Sequence, residues 1–431
     1  MSAGQGEQAW FGHPRGLTIL FLTEMWEKFS FYGMRALLVY YMTTSLLIGP
    51  AGASLVYGLY TAIVYLTPIL GGAIADRWLG KRRAVVIGGS IMAAGHFLMI
   101  FEPLFYPALA VIALGNGLFL PSLPSQIRSL YGPDDPRQGS AYNVYYMGVN
   151  LGAFLAPLVC GFLGETFGWH WGFGAAGIGM LLGLLVYVLG RRHLPVDEPA
   201  AVVVRSAASE TPDLRRLFLL LGGVALAVVV FRIAYEQTGN TLALWIESSV
   251  DRRVAGGWMI PMTWFQALNP LLVLLLTPFV VARMTRAAQR RGAVDALATM
   301  SFGAALVASS FLLLVFVQQA AQVSHAPVSW IWLLAFFLLL TIGELHILPV
   351  GLGLFGRLAP ARLAATMVAA WFLAAFAGNL LAGLVGAAWS AMGACGFFGL
   401  MGGMGLTSAL LLLCLARPVR RFEARLSSTR T

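Results

Sequence analysis

RRHLPVDEPAAVVVRSAASETPDLRR, from Arg191 to Arg216, is the stretch on which the architecture turns. It holds Asp197, Glu198, Glu210 and Asp213 and one short apolar run at 202–204, in a chain that is otherwise 59% hydrophobic and only 11% charged. Outward from it toward the N-terminus, apolar stretches lie near 17–45, 53–75, 84–100, 106–127, 140–163 and 171–190. Toward the C-terminus they lie near 217–246, 257–282, 296–318, 328–356, 363–388 and 395–416. Soluble domains carry about 25% charged residues, and a membrane span needs about 20 mostly apolar ones. A soluble enzyme and a disordered chain are therefore excluded, and the pattern predicts an all-α membrane protein with twelve transmembrane helices. It divides into an N-terminal six-helix bundle over 1–190, a cytoplasmic linker over 191–216 and a C-terminal six-helix bundle over 217–431. Six spans plus six is the arrangement of transporters whose binding site lies between repeats, although no sequence repeat is obvious by eye. Met1–Gly16 lacks a basic segment leading into a short apolar core, so the first span is expected to stay as a helix.

The formal net charge of +10 reads as topology rather than as a nucleic-acid face. With both termini assigned to the cytoplasm, 23 of the 28 Lys and Arg residues fall in inside loops or tails. Arg252 and Arg253 alone lie outside, and Lys28, Arg35 and Arg232 lie within spans. Cys160, Cys395 and Cys414 sit in apolar runs without ligand or disulfide spacing, so neither a metal nor another cofactor is expected.

Seven charged residues fall inside the spans: Glu24, Glu27, Lys28, Arg35, Arg232, Glu236 and Glu344. At roughly 2.5 to 3.5 kcal/mol each near the bilayer centre, seven unpaired charges would cost on the order of 20 kcal/mol, more than a fold's net stability. They must pair or line water. At about 100° per residue, Lys28, Phe31 and Arg35 share a narrow arc with Glu24, flanked by Glu27 and Tyr32. Glu24 and Lys28 are also spaced as a helical i, i+4 pair, which by itself would be structural glue. Arginine cannot release its proton, whereas a carboxylate can take one up, so Glu24, Glu27, Glu236 and Glu344 are the candidate proton carriers. His96 and His346 read as satisfied or cavity-lining residues.

EMWEKFSFYG at 24–33 resembles the ExxERFxYYG signature of the proton-coupled oligopeptide transporter family, within the major facilitator superfamily. GGAIADRWLGKRR at 71–83 is similar to the superfamily's loop motif between helices 2 and 3, read here either as a latch of helix ends or as a topology signal. VYYMGVNLGAFLAP at 144–157 looks like the family's second signature, and WFQALNP at 264–270, GELHILPVGL at 343–352 and MVAAWFL at 367–373 fit family positions. The resemblance implies a major facilitator fold and proton coupling through Glu24, Glu27 and Lys28. It implies that Tyr32, Arg35 and Tyr65 lie near a peptide, that Glu344 with Asn150 and Asn269 takes its amino terminus, and that Trp371 lines a side-chain pocket. It also implies a salt-bridge gate between Arg35 and Glu236, which the sequence places at similar depth. Arg232, four residues before Glu236, is the rival partner.

This chain departs from the family pattern at several points. Lys28 replaces an arginine and Phe31 the first tyrosine of the signature; Leu120 and Ser122 stand where the family commonly has Lys and Asn, and Leu348 where it has Ser. The linker is too short for the two extra helices of many bacterial members. The expected function is a proton-coupled symporter that imports di- and tripeptides by alternating access, as a multi-pass monomer in the lipid bilayer of the inner plasma membrane, with small peptides and protons as partners and no nucleic acid. A proton symporter for another small zwitterionic or anionic solute is the alternative. An enzyme is not expected, because the sequence shows no zinc spacing, nucleophile elbow or short His and Asp motif.

Overall fold

The computed structural model describes residues 12–132, 135–195, 214–254, 256–291, 295–358 and 363–428. The acidic linker residues Asp197, Glu198, Glu210 and Asp213 lie outside the described residues. The chain is built from helices: α1 Arg15–Thr44, α2 Pro50–Ile74, α3 Lys81–Leu98, α4 Phe105–Ser122, α5 Gln138–Ala156, α6 Phe162–Phe167, α7 Trp169–Gly190, α8 Leu214–Tyr235, α9 Thr241–Ser249, α10 Leu268–Arg291, α11 Ala296–Ser324, α12 Ile331–Leu358, α13 Ala364–Gly386 and α14 Trp389–Ser428. Ten helical segments among the described residues are long and apolar enough to cross a membrane. Two further long helices fall outside that set because of their charge. The first, α1, contains Glu24, Glu27, Lys28 and Arg35, and α3 opens on Lys81, Arg82 and Arg83.

Two expected spans are broken rather than continuous. The stretch at 217–246 is α8, a 3-10 turn over Glu236–Gly239, then α9. The turn is held by side chains that compete with helical backbone bonding. Gln237 Nε2 donates to the Ile233 and Ala382 carbonyls, and its Oε1 accepts from Asn240 and Thr241. The stretch at 257–282 likewise begins as a 3-10 turn, Met262–Ala267, before α10.

The chain forms two compact units, each taking a segment from the opposite half of the sequence. The first comprises 1–47, 63–202 and 261–271; the second comprises 48–62, 203–260 and 272–431.

In the first unit α1 packs on α5 and α7, and α3 on α4. Gly152 of α5 lies so close to α1 that a Cβ would run into the Met25 carbonyl, so this position admits only glycine. That approach sets the charged turn of α1 directly against α5. Glu165 of α6 accepts from the Met262 and Thr263 backbone amides at 2.9 Å each and from Thr263 Oγ1 at 2.6 Å. It thereby satisfies the amino end of the 3-10 turn that carries Asn269 into place.

In the second unit α11 packs on α12 and α14, over a core that includes Phe311, Phe336 and Phe398. Asp295 caps α11 by accepting from the Leu297 and Ala298 amides. A short parallel pairing of Val250–Asp251 with Val328–Ser329 ties the two connections at one end. The 48–62 segment joins this unit through Ser54, whose hydroxyl donates to Asn240 Oδ1 at 2.9 Å.

Candidate functional site

Helix α1 runs over thirty residues without an acidic first turn or a basic last one, so its charges serve neither end of the helix dipole. They gather at its middle. Lys28 Nζ lies 2.6 Å from Glu27 Oε2 and 3.3 Å from Glu24 Oε1, with the carboxylates 0% and 2% exposed. The three residues predicted to act together are thus brought together. Two carboxylates share one ammonium, which leaves one formal negative charge in excess. Glu24 Oε2 and Glu27 Oε1 are buried and accept no hydrogen bond. An acceptor oxygen in that position gains most from a proton.

The sequence reading missed a fourth member. Tyr145 of α5 is buried near enough to Glu24 and Glu27 for their charges to bear on its hydroxyl, which makes no hydrogen bond. The signal was available in VYYMGVNLGAF, but two adjacent tyrosines in a membrane helix read equally well as interfacial aromatics.

Along α1 from this cluster, the Arg35 guanidinium lies over the Tyr32 ring, 5.8 Å from its centre. Gln266 Nε2 donates to the Ala36 carbonyl at 3.2 Å, so the 3-10 turn before α10 is seated on this part of α1. Asn150 is buried in α5 and donates to the Tyr146 carbonyl of its own helix at 3.0 Å, leaving Oδ1 as its acceptor. Tyr65 on α2 and Asn269 at the start of α10 are half-buried in the same unit. Leu120, at the position of the family's lysine, is half-buried on α4.

The second unit holds the remaining candidates. Glu344 lies mid-way along α12, beside Gly343, whose carbonyl would meet a Cβ at Gly303 of α11 at 2.5 Å. Trp371 of α13 packs edge-on to Phe355 at 5.4 Å, and a Cβ at Gly351 would strike its ring. Glu236 is buried in an ion pair with Arg232, Oε1 to Nη1 2.8 Å. The local partner named from the i, i+4 spacing is therefore in place. Arg35 belongs to the first unit and Glu236 to the second.

The two histidines differ. His346 Nδ1 bonds the Ile342 carbonyl at 2.7 Å and its ring packs on Phe302. His96 is fully buried with neither ring nitrogen hydrogen-bonded, so it is not satisfied by the protein in the way expected. Among the described residues no group of three His, Cys, Asp or Glu side chains is placed to hold a metal ion.

The model of the POT family matches residues 82–212 and 198–394 of this chain. The chain is 32% identical to the uncharacterized transporter YclF of Bacillus subtilis, over 96% of each protein. It is 33% identical to the peptide transporter YePEPT of Yersinia enterocolitica, over 88% of this chain and 89% of that one. A crystal structure of a peptide transporter POT in complex with sulfate superposes with a TM-score of 0.87 at 30% identity, covering 96% of both chains. With its helical membrane segments, its charged turn in α1 and these matches along nearly its whole length, the chain belongs to the POT family of multi-pass membrane transporters.

Proposed function

We propose that this protein is a proton-coupled symporter that imports di- and tripeptides across the plasma membrane by alternating access, with twelve spans in two six-helix bundles and both termini in the cytoplasm. The observation that carries the proposal is the Glu24–Lys28–Glu27 cluster of α1, with two buried carboxylate oxygens left open. One proton neutralises the excess charge of the cluster, and its release restores the ion pairs, so the site alternates between two electrostatically distinct states. The peptide-transporting relative and the family's structures support small peptides as the substrate class.

In this reading Arg35, with Tyr32 and Tyr65, holds the peptide carboxylate. Glu344, with Asn150 and Asn269, holds its ammonium group, and Trp371 faces a side chain. A zwitterion needs a fixed cation and a fixed anion facing a wet cavity with amide partners between them. Arg35 also gates the site by pairing with Glu236, a role it would share with Arg232. The protein acts as a monomer and leaves its substrate chemically unchanged. Uptake of a labelled dipeptide into proteoliposomes, with and without an inward proton gradient, tests the proposal. Accumulation above equilibrium only with the gradient is expected, and indifference to the gradient overturns the coupling.

A second reading is favoured by one residue. Without a lysine at position 120, one cation for a substrate carboxylate is missing, and a different small zwitterion or anion becomes the cargo. Competition by dipeptides against free amino acids separates the two.

A further inference from the structure

A groove of about 680 Å³ lies between the first turns of α3 and the last turns of α7, within the first unit. Four arginines border it, Arg82 and Arg83 from α3 and Arg191 and Arg192 from the end of α7, and among the described residues no carboxylate does. Four like charges on one opening repel each other unless an anion sits among them.

The four are not equivalent. Arg82 Nη2 donates to the carbonyls of Arg191 and Leu194, so this guanidinium closes the carboxyl end of α7 and fixes the two helices together. Arg83, Arg191 and Arg192 are exposed, and Arg192 is oriented by its Nε, which donates to His193 Nε2 at 3.1 Å. The Arg82 contacts to the Arg191 and Leu194 carbonyls hold the end of α7 against α3, so the rim is fixed where the two helices meet.

Below the rim the wall becomes apolar. Ile87 lies one helical turn from Arg83, and Val188 one turn from Arg191 and Arg192, with Val86 alongside. Ile87 is 39% exposed. On each helix a charged turn is followed, about 6 Å further along the axis, by an apolar one, exposed at Ile87 and half-buried at Val86 and Val188. A free phosphate would use only the rim. A molecule with a phosphodiester at one end and a hydrocarbon tail at the other uses both.

We infer that the α3–α7 groove is a binding site for an anionic phospholipid, its phosphodiester held by Arg83, Arg191 and Arg192 and its acyl chain laid along Val86, Ile87 and Val188. A basic pocket between helix ends at the membrane surface is the setting in which anionic headgroups are held. The inference does not depend on what the protein transports.

The test is native mass spectrometry of the purified full-length protein, released from membranes containing phosphatidylglycerol and phosphatidylethanolamine. The wild-type protein should keep phosphatidylglycerol, and R83Q/R191Q/R192Q should lose it by about fivefold per arginine removed. The control R283Q/R286Q/R290Q removes as much charge from the exposed end of α10 and should keep the lipid. Equal retention by wild type and the first triple variant overturns the site, and so does equal loss in both triples, which would mean diffuse attraction. In a second arm, delipidated protein is heated with phosphatidylglycerol, phosphatidylethanolamine or inorganic phosphate. Stabilisation by phosphatidylglycerol alone is expected, and equal stabilisation by inorganic phosphate overturns the lipid assignment. Should the triple variant not fold, R192Q alone carries the same comparison.

Discussion

Among the described residues, two ion-paired charge clusters are buried in the membrane-spanning stretches, and they differ in balance. In the first unit, two carboxylates converge on one ammonium, 2.6 and 3.3 Å away, with oxygens left over. In the second, one guanidinium meets one carboxylate at 2.8 Å. A carboxylate matched by a guanidinium gains little from a proton, because protonation gives up their ion pair. An unbalanced triad gains neutrality from one. Lysine rather than arginine at position 28 sharpens the contrast, since a compact ammonium on a flexible stem can move between two carboxylates more easily than a rigid fork can. This difference in balance is why the proposal above places proton coupling at the α1 cluster rather than at the Arg232–Glu236 pair.

The most direct way to break the comparison is Glu27→Gln. It should lower gradient-driven accumulation about 5- to 150-fold, the range of a typical coupling free energy, while leaving counterflow exchange partly intact. Exchange needs binding and reorientation but no net proton movement. Equal loss of both activities would make the α1 cluster structural and erase the distinction.

The α8 pair should respond as a matched set. Arg232→Gln or Glu236→Gln alone breaks a buried ion pair and should cost about 3 to 5 kcal/mol of stability, whereas the double substitution should recover most of it. Denaturation of the three variants in one detergent measures this. If the singles are as stable as wild type, the buried charges have other partners. A cysteine-crosslinking comparison of Arg35→Ala, Glu236→Ala and the Arg35/Glu236 charge swap then separates gate from glue: a gate shifts conformational populations, and only the swap restores them.

A carboxylate that serves as a ligand should differ from both clusters. Glu344→Gln should weaken peptides with a free amino terminus by about 2 to 5 kcal/mol, while N-acetylated peptides should be unaffected. Competition binding measures the two classes side by side. Alike weakening would remove Glu344 from the ammonium site.

The smallest effect lies outside the membrane spans. His13 bonds the Tyr131 hydroxyl at 2.8 Å, and its pKa is held below the ordinary 6.5 by burial and then by the nearby Arg137. The folded protein therefore binds fewer protons here than the unfolded chain once the pH drops below 6.5. Its contribution is fully present above that value and fades as pH falls through the folded pKa. Melting temperature should decline across this window in wild type and decline less in His13→Phe; identical profiles would show that His13 does not titrate with unfolding.

Much of this molecule was legible in its sequence, because lipid imposes a simple rule. Each span must be long and apolar, so every intramembrane charge stands out and demands a partner. The i, i+4 spacing of Glu24 with Lys28 and of Arg232 with Glu236 then offered local partners that the structure shows in contact, although Lys28 lies closer still to the adjacent Glu27. The contacts that were not legible join distant parts of the chain. Glu165 holds the turn at Met262 and Thr263, Gln237 reaches the Ala382 carbonyl from the turn after α8, and Gly152 lets α5 lie against the Met25 carbonyl of α1. The exchange of 48–62 and 261–271 between the two units is of the same kind. Local periodicity determined the helices and their charged faces; only tertiary packing decided which distant side chain would satisfy the backbone groups that helix ends leave open.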